Sequence, residues 1–245
     1  MKIGVLITTF GPLDPVAYHN HLSVLLSWKK LFDLEAYHLS DNQQEASLNA
    51  MVNIALQDGC THLFFIEHDN ILSKKDLPKL LKHNLDIVSG YYTFRNWPFA
   101  PIPVKRDTET GLYYRLEYVA EYEEGKDNLI EVDVACFGCC LIKAEVMKKL
   151  FDAGKIFRRE QSIKGNTTMT VDCVLFDDLR KAGYKLFVDG NVRVGHLAQR
   201  FVVTPDNYRL YREMVKLVFP EIVPKEEQFS EEKRKQICEF LGERA

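Results

Sequence analysis

The stretch that decides the fold is His62–Asp69, which reads HLFFIEHD. Its centre, Leu63–Ile66, is apolar at every position, and two carboxylates follow it directly. A short, wholly apolar run is typical of a strand that is buried on both faces of a parallel sheet. Ligands of open α/β sheets bind outside the carboxyl ends of the strands. The stretch therefore predicts a central strand that carries an acidic site at its end.

The residues on both sides of this stretch alternate between strand-like and helix-like patterns. Strands that alternate with helices predict a doubly wound α/β sheet with right-handed crossovers. Neither a Gly-x-Gly-x-x-Gly nor a Gly-x-x-x-x-Gly-Lys-Ser/Thr motif occurs in this half of the chain, which argues against Rossmann dehydrogenases and P-loop enzymes. The predicted elements are strand Lys2–Thr9, helix Val16–Leu31, strand Leu34–Leu39, helix Glu45–Gln57, strand His62–Ile66, helix Leu77–His83 and strand Asp86–Ser89.

The second half of the chain has a less regular pattern, with no internal repeat and no linker. We expect one domain followed by a helical tail over residues 205–245, with breaks at Pro220 and Pro224. The predicted elements before the tail are a hairpin around Asp107–Tyr114, strand Val132–Ile142, helix Ala144–Phe151, a mobile polar loop over 152–170, helix Asp172–Ala182, strand Lys185–Val188, a turn at Asp189–Asn191 and strand Val192–Gly195.

Composition and charge exclude several classes of protein. The chain has 245 residues, 46% of them hydrophobic and 27% charged, which excludes disordered and fibrous proteins. The 32 Lys and Arg against 35 Asp and Glu leave a net charge of −3, so we expect no nucleic-acid partner. No apolar run reaches the ~20 residues of a membrane span, and no signal-peptide core precedes the first strand. We therefore expect a cytoplasmic protein without a membrane span.

Six cysteines are present, three of them in the arrangement Cys136-x-x-Cys139-Cys140. This spacing leaves open a structural zinc site or a reactive thiol. It lies inside an apolar run, with no second cysteine pair and no histidine nearby. The pattern therefore favours buried thiols that act as small hydrophobic side chains.

Three sets of polar residues are candidates for chemistry. Glu67 and Asp69 share one face of an extended chain and suit a divalent cation such as Mg²⁺ or Mn²⁺, although solvated loop charges are the alternative. His196 follows a strand and would complete such a coordination sphere, or it is only a packed residue. Asp172 begins a helix, where an N-cap role and a general-base role are compatible. Asp177 and Asp178, further along, are expected to be solvated surface charges.

Four stretches of the chain follow one another in a recognisable order: Ile3–Phe10 (IGVLITTF), Asn49–Asn70 (NAMVNIALQDGCTHLFFIEHDN), Val132–Leu150 (VDVACFGCCLIKAEVMKKL) and Asp172–Leu197 (DCVLFDDLRKAGYKLFVDGNVRVGHL). In this order they resemble the GT-A-fold, nucleotide-sugar-dependent glycosyltransferases, of the small family-2-like type found in bacteria, phages and archaeal viruses. The resemblance implies a GT-A-like, Rossmann-like mixed sheet flanked by helices, with a helical C-terminal tail. It divides residues 1–204 into a nucleotide-binding half, 1–90, and an acceptor and catalytic half, 91–204, before the helical C-terminal extension 205–245.

The resemblance also implies roles for individual residues. Asp69 and His196 would bind Mn²⁺ or Mg²⁺, and Asp172 would be the general base, with Val171 in place of the usual preceding Glu. Glu67 stands where the family has the first Asp of its Asp-x-Asp motif, and Leu48 stands where it has an Arg. The implied nucleotide-sugar contacts are Thr8, Thr9, Asp41, Asn49 and Glu67, and the implied acceptor contacts are Tyr92, Trp97, Phe137 and Gly138. The aromatic residues Tyr92, Phe94 and Trp97 either stack on a sugar ring or pack in the interior.

The implied activity is transfer of a sugar from a UDP- or GDP-sugar to a hydroxyl of a glycan, lipid or protein, with inversion at the anomeric carbon. The tail would cover the site, bind an acceptor protein or form a homodimer. Two alternatives stay open. The first is a non-catalytic module of the same fold, which is considered because Glu67 and Leu48 depart from the family pattern. A sugar nucleotidyltransferase would need a glycine-rich basic loop, which Thr8–Pro12 does not provide.

Overall fold

The computed structural model describes residues 1–9, 14–40, 43–96, 98–106, 113–115, 128–161, 168–198, 202–218, 223–233 and 235–236. Its strands are β1 (Lys2–Thr9), β2 (Asp33–Ser40), β3 (His62–Glu67), β4 (Asn70–Ile71), β5 (Ile87–Tyr91), β6 (Val104–Arg106), β7 (Tyr113–Arg115), β8 (Leu129–Val132), β9 (Cys140–Lys143), β10 (Glu160–Gln161), β11 (Thr168–Met169), β12 (Leu186–Arg193), β13 (Gly195–Leu197) and β14 (Val202–Val203). Its helices are α1 (Pro15–Trp28), α2 (Gln44–Gln57), α3 (Asp76–Lys82), α4 (Ala144–Asp152), α5 (Val171–Lys181) and α6 (Tyr208–Val218).

The central sheet has seven strands in the order β2-β1-β3-β9-β5-β12-β8. Strands β2, β1 and β3 are parallel neighbours, and β12 is parallel to β5. Strand β9 lies between β3 and β5 and is antiparallel to both, while β8 closes the far edge antiparallel to β12. The predicted α/β sheet is confirmed, and it is mixed as the family resemblance implies, because an antiparallel strand from the second half of the chain separates β3 from β5.

The helices cover both faces of the sheet. Helices α2, α4 and α5 pack on one face and bury a core that includes Phe65, Phe137 and Phe176. Helices α1 and α3 pack on the other face, where Trp28 contacts Phe64 edge to face at 5.6 Å between ring centroids. The fully apolar centre of β3 follows from this arrangement, because its alternate side chains enter two separate cores.

Most predicted elements lie within a few residues of the observed ones. Proline at the first position of α1 suits a helix start, and the helix ends at Trp28 rather than Leu31. Gly59 and Gly183, with φ of +74° and +87°, follow α2 and α5 as expected for left-handed C-terminal residues. The pairing of β6 with β7 confirms the hairpin, whose turn lies outside the described residues.

Two sequence predictions in the second half are wrong. Residues Val132–Ile142 are not one strand, because β8 ends at Val132 and a 3₁₀ turn, Phe137–Cys139, precedes β9. From Val134 to Ile142 every residue except Cys136 is buried, so apolarity alone could not separate the turn from the strand. The predicted turn at Asp189–Asn191 lies within β12, whose register shifts after Asp189. A β-bulge thus accommodates a turn-like sequence.

The cysteines behave as buried thiols. Cys60, Cys139 and Cys140 are buried thiols, and Cys136 and Cys173 are partly buried thiols. Cys238 lies outside the described residues. In the parts of the chain that the structure describes, no helix has the length and apolarity needed to cross a membrane.

Candidate functional site

The acidic cluster lies at the carboxyl edge of the parallel strands. Strand pairing places Thr8 beside Glu67, and the backbone N–H of His68 donates to the carbonyl of Thr8 at 3.0 Å. Thr8 and Thr9 are both buried, and the Thr9 hydroxyl lies 2.6 Å from Nε2 of His38. The predicted nucleobase residues Thr8 and Thr9 are thus next to the acidic residues.

Backbone pairing brings His196 to Asp69. Strands β13 and β4 are antiparallel, with His196 opposite Asn70, and the N–H of Leu197 donates to the carbonyl of Asp69 at 2.7 Å. As a result, Nε2 of His196 lies 3.3 Å from Oδ2 of Asp69, and both side chains are buried. The two residues implied as metal ligands are therefore neighbours.

The orientation of His196 suits a metal ligand. Its Nδ1 lies 2.8 Å from the carbonyl oxygen of Thr93, and a carbonyl only accepts, so Nδ1 carries the proton. In the free protein Nε2 donates to Oδ2 of Asp69, and once that proton is lost the same nitrogen would present a lone pair to a cation beside Asp69, as is usual for histidines that bind metals. Burial alone would lower the pKa of His196, but the hydrogen bond to Asp69 and that carboxylate's charge raise it.

Asp69 and His196 together suit a cation that also binds a ligand. One carboxylate and one imidazole leave most of a coordination sphere for other oxygens. Among the described residues, no group of three or more His, Cys, Asp and Glu is arranged to hold a metal unaided. Within the same part of the chain, the buried side-chain polar atoms of Thr8, Asn70 and Thr93 have no hydrogen-bond partner. Buried polar atoms normally find partners, so this edge of the sheet suits a polar ligand.

Arg95 is a member of the cluster that sequence reasoning did not single out. Its Nη1 contacts Oδ2 of Asp69, the same oxygen that faces His196. Burial alone would raise the pKa of Asp69, but the hydrogen bond from His196 and the charges of His196, His68 and Arg95 hold it below its ordinary value. A basic residue in the loop after β5, at the same sheet edge, was the available signal.

Glu67 has a different environment from Asp69. Burial raises the pKa of Glu67 to about 7, and the negative charges of Asp69 and Asp172 add to the effect. Perturbed carboxyl groups of this kind cluster at functional sites.

Asp172 lies in the first turn of α5, beside Glu67. The helix begins at Val171 with Thr170 as its N-cap, so the prediction of Asp172 as the N-cap residue is wrong by two positions. Its Oδ2 accepts a hydrogen bond from the Cys136 thiol at 2.6 Å, and its Oδ1 accepts from the Cys173 N–H at 3.1 Å. Cys136 is therefore a partner of the predicted base. Burial is also the main reason that the pKa of this thiol is raised.

The predicted acceptor residues that the structure describes are buried in the interior next to the site. Tyr92 is fully buried, and its hydroxyl accepts from the N–H of Gly138 at 2.7 Å. The Tyr92 ring packs edge to face on the ring of His196, with centroids 5.8 Å apart. Phe137 stacks on Phe176 at 5.3 Å. Tyr92 thus follows the packing alternative, and Phe137 is buried as well, whereas Phe94 is exposed. Asp41 and Trp97 lie outside the described residues.

The segment Cys136–Gly138 reaches this edge for a topological reason. It precedes β9, which runs antiparallel to β3 with Cys140 beside Phe65. Residues before β9 therefore lie beyond Phe65, next to the end of β3. A β-carbon on Gly138 would lie 2.6 Å from the ring of Tyr92, so this close approach requires glycine.

Three other polar residues have structural partners. The amide of Asn49 donates to the carbonyl of Phe157 and accepts from its N–H, both at 2.9 Å. Asp178 is buried, and its Oδ2 lies 2.6 Å from Nη1 of Arg158. The prediction of Asp178 as a solvated surface charge is wrong, because α5 turns it toward the segment after α4. Asp177 pairs with Arg180 at 2.6 Å.

A groove of about 670 Å³ lies at the opposite edge of the sheet, between α2 and α4. Its lining includes Cys60, His62 and Lys143, at the amino end of β3. Its lining also includes Glu145 and Asp152, and Asp152 pairs with Lys148 at 2.6 Å, whereas the acidic cluster brings Asp69 and an oriented His196 together. The chemistry therefore favours the acidic cluster as the candidate site.

Comparison with known proteins identifies the fold. No protein-family model matches the chain, and no curated protein does. The crystal structure of A197 from STIV aligns with 84% of this chain and 91% of that one, at 19% sequence identity and a TM-score of 0.55. At this identity the likeness shows the fold alone. The chain has a GT-A-like fold, a mixed α/β sheet flanked by helices.

Proposed function

We propose that the protein is a metal-dependent glycosyltransferase that moves a sugar from a nucleoside-diphosphate sugar to an acceptor hydroxyl with inversion. The observation that carries the proposal is the pair Asp69 and His196, with Nδ1 of His196 held by the Thr93 carbonyl and Nε2 directed at Asp69. Both residues lie at the carboxyl edge of the sheet, where ligands of such folds bind. Asp172 lies beside Glu67 at the same edge.

Asp69 and His196 would hold Mn²⁺ or Mg²⁺, which when bound neutralises charge on the departing diphosphate. Thr8 and Thr9, buried at the end of β1, would contact the nucleoside. The proposal favours Mn²⁺ over Mg²⁺, because an imidazole is a poor ligand for the harder magnesium ion.

Asp172 would act as the general base. Each oxygen of its carboxylate accepts one hydrogen bond from the protein, which leaves further lone pairs for an acceptor hydroxyl. As the hydroxyl oxygen bonds to the anomeric carbon, its proton passes to Asp172. The bond from that carbon to the diphosphate oxygen breaks, and its electron pair leaves with the nucleoside diphosphate. Cys136 and Cys173 orient the carboxylate throughout.

The test is a thermal-shift screen of UDP, GDP, ADP, CDP and dTDP, each with and without Mn²⁺. A ligand at 100 times its Kd stabilises a protein by about 2.7 kcal/mol, so binding at millimolar concentration gives a clear rise in Tm. We expect one nucleotide to stabilise the protein, only with Mn²⁺. Asp69→Asn and His196→Gln should abolish the shift.

Asp177→Asn is the matched control, because this carboxylate pairs with Arg180 and Lys181 of its own helix and should leave the shift unchanged. A nucleotide shift that does not depend on Mn²⁺ contradicts metal dependence. No shift with any nucleotide favours a non-catalytic module. Release of free sugar from the matching donor, measured with Mn²⁺, separates an active transferase from a module that only binds nucleotide.

A further inference from the structure

One oxygen of Asp69 has two partners in the described structure. Its Oδ2 is contacted by Nη1 of Arg95 and lies 3.3 Å from Nε2 of His196. A cation held between Asp69 and His196 needs the lone pairs of this same oxygen. Arg95 therefore occupies the place that a metal would take, and the two positive groups compete for one carboxylate.

Arg95 has a partly exposed side chain on an anchored loop. The loop is closed at its base by a bridge between Thr93 and Pro101 and by the hydrogen bond from the Phe94 N–H to the Ala100 carbonyl at 3.0 Å. The Arg95 side chain is 45% exposed, whereas that of Asp69 is 9% exposed. A long side chain on a fixed backbone can exchange partners by rotation about its own bonds.

The charges around Asp69 also call for a second cation. The negative charges of Asp69 and Asp172 both act on Glu67, and a diphosphate brings more negative charge to the same edge. A guanidinium binds phosphate oxygens through two parallel N–H donors. Arg95 released from Asp69 would find such oxygens beside it.

We propose that Arg95 exchanges Asp69 for the donor diphosphate when a metal binds. In the free protein Arg95 neutralises Asp69 and opposes metal binding. In the complex the metal takes Asp69 and His196, and Arg95 binds the diphosphate. This inference rests on the proposed function and adds to it a coupling, in which metal and nucleotide bind more tightly together than separately.

The first experiment measures Mn²⁺ binding without nucleotide, by electron paramagnetic resonance of the free ion. Arg95→Gln should bind Mn²⁺ about two- to fivefold more tightly than the natural protein, because it loses a partly exposed competing ion pair. Arg95→Lys keeps the charge and should bind Mn²⁺ like the natural protein. Arg180→Gln is the matched control, because Arg180 pairs with an aspartate elsewhere on α5.

The second experiment measures binding of UDP and of GDP with saturating Mn²⁺, by calorimetry. Whichever nucleotide binds the natural protein should bind Arg95→Gln with an affinity about 10- to 100-fold lower. This factor corresponds to the loss of a charge-assisted hydrogen bond. Arg95→Lys should show a smaller loss, because an ammonium lacks the guanidinium fork. The two experiments thus predict opposite effects of one substitution.

The outcomes are distinguishable. Equal Mn²⁺ affinity in Arg95→Gln and the natural protein overturns the exchange while leaving the proposed metal site intact. Unchanged nucleotide affinity in Arg95→Gln overturns the second half of the exchange. If neither protein binds Mn²⁺ without nucleotide, the competition in the free protein is overturned, and if nucleotide also binds equally with and without Mn²⁺, the proposed metal site fails as well. Circular dichroism of Arg95→Gln confirms that the half-exposed substitution leaves the fold unchanged.

Discussion

At the scale of single residues, the side chains of the candidate site are prepared by hydrogen bonds to the backbone and to neighbours. The Thr93 carbonyl sets the tautomer of His196, and the Cys136 thiol and Cys173 N–H hold the two oxygens of Asp172. Such contacts fix orientation before a ligand arrives, which is what positioned acid and base groups require. They also explain why short-range sequence patterns could name the site residues but not their partners.

Asp172→Asn tests the base directly. An amide cannot accept the proton, and positioned general-base catalysis contributes about 10²–10⁴ in rate. We expect the transfer rate to fall by that factor while the nucleotide affinity in the presence of Mn²⁺ stays unchanged. Initial rates with donor and acceptor, together with calorimetry of nucleotide binding, check both parts. Asp177→Asn is the control, and an Asp172→Asn enzyme with undiminished rate would assign the base elsewhere.

Asp76 gives a pH-dependent contribution to stability. Burial raises the pKa of Asp76 from 3.8 to about 6, although its carboxylate accepts a hydrogen bond from the Ser73 N–H at 2.6 Å. The native state therefore binds this proton more tightly than the unfolded state. The contribution of Asp76 to the free energy of unfolding falls as the pH rises from about 4 to 6, by about 3 kcal/mol at most.

Asp76→Asn removes this titration but keeps the acceptor for Ser73. The variant should gain stability relative to the natural protein as the pH rises from 4 to 7, with no further relative change above 7. Urea unfolding at several pH values measures the difference between the two proteins. A difference that does not vary with pH would show that Asp76 has an ordinary pKa in the folded state.

At the scale of elements, short segments connect the helices to the site-bearing strands. Asn49 of α2 clamps the backbone of Phe157, which follows α4 and packs against Phe65 of β3 at 6.0 Å between ring centroids. Phe137, in the turn before β9, packs on the same Phe157 ring at 5.4 Å. The aromatic rings around Phe157 and the two hydrogen bonds of Asn49 therefore connect the elements that surround β3.

Asn49→Ala separates a structural role from the predicted nucleotide contact. Both polar atoms of the amide already bond to Phe157, so we expect a loss of stability of about 1–3 kcal/mol from two broken hydrogen bonds. The nucleotide affinity should not change once the fold is intact. Denaturant unfolding and nucleotide binding in the presence of Mn²⁺ are the measurements. A loss of affinity without a loss of stability would support the contact implied by the family resemblance instead.

At the scale of the whole molecule, the first part of the C-terminal tail is attached to the loop that carries Arg95. Tyr208 of α6 is buried against Phe99 and Val203, with Tyr211 and Val215 at the edge of the same small cluster. This cluster is separate from the two cores of the sheet. Helix α6 therefore supports the loop after β5 without being part of the central sheet.

Tyr208→Ala should loosen α6 and the loop after β5 while leaving the central sheet protected. Truncation of a buried aromatic ring removes a few kcal/mol of packing, and a peripheral cluster opens independently of the main core. Hydrogen exchange measured by mass spectrometry should show faster exchange in peptides covering 93–101 and 202–218. Equal acceleration in β1 and β3 would show that the tail is part of one cooperative unit.

The sequence by itself determined the strands and helices of the first half and the acidic edge at the end of β3. These follow from local periodicity, because a strand buried on both faces needs apolar residues throughout and its polar end must reach the surface. That Asp69 and His196 form a pair could be inferred only from the order of the motifs that resemble the family. Periodicity placed both residues at strand ends but could not say that those ends meet.

Only the tertiary structure decided the rest. The insertion of β9 between β3 and β5, the pairing of β4 with β13, and the contacts of Arg95, Asn49 and Cys136 all join residues that are distant in sequence. Long-range backbone pairing and side-chain hydrogen bonds leave no period in the chain, since any polar residue at the right position can form them. The buried run from Val132 to Ile142 illustrates the limit, because two strands and a turn share one apolar pattern.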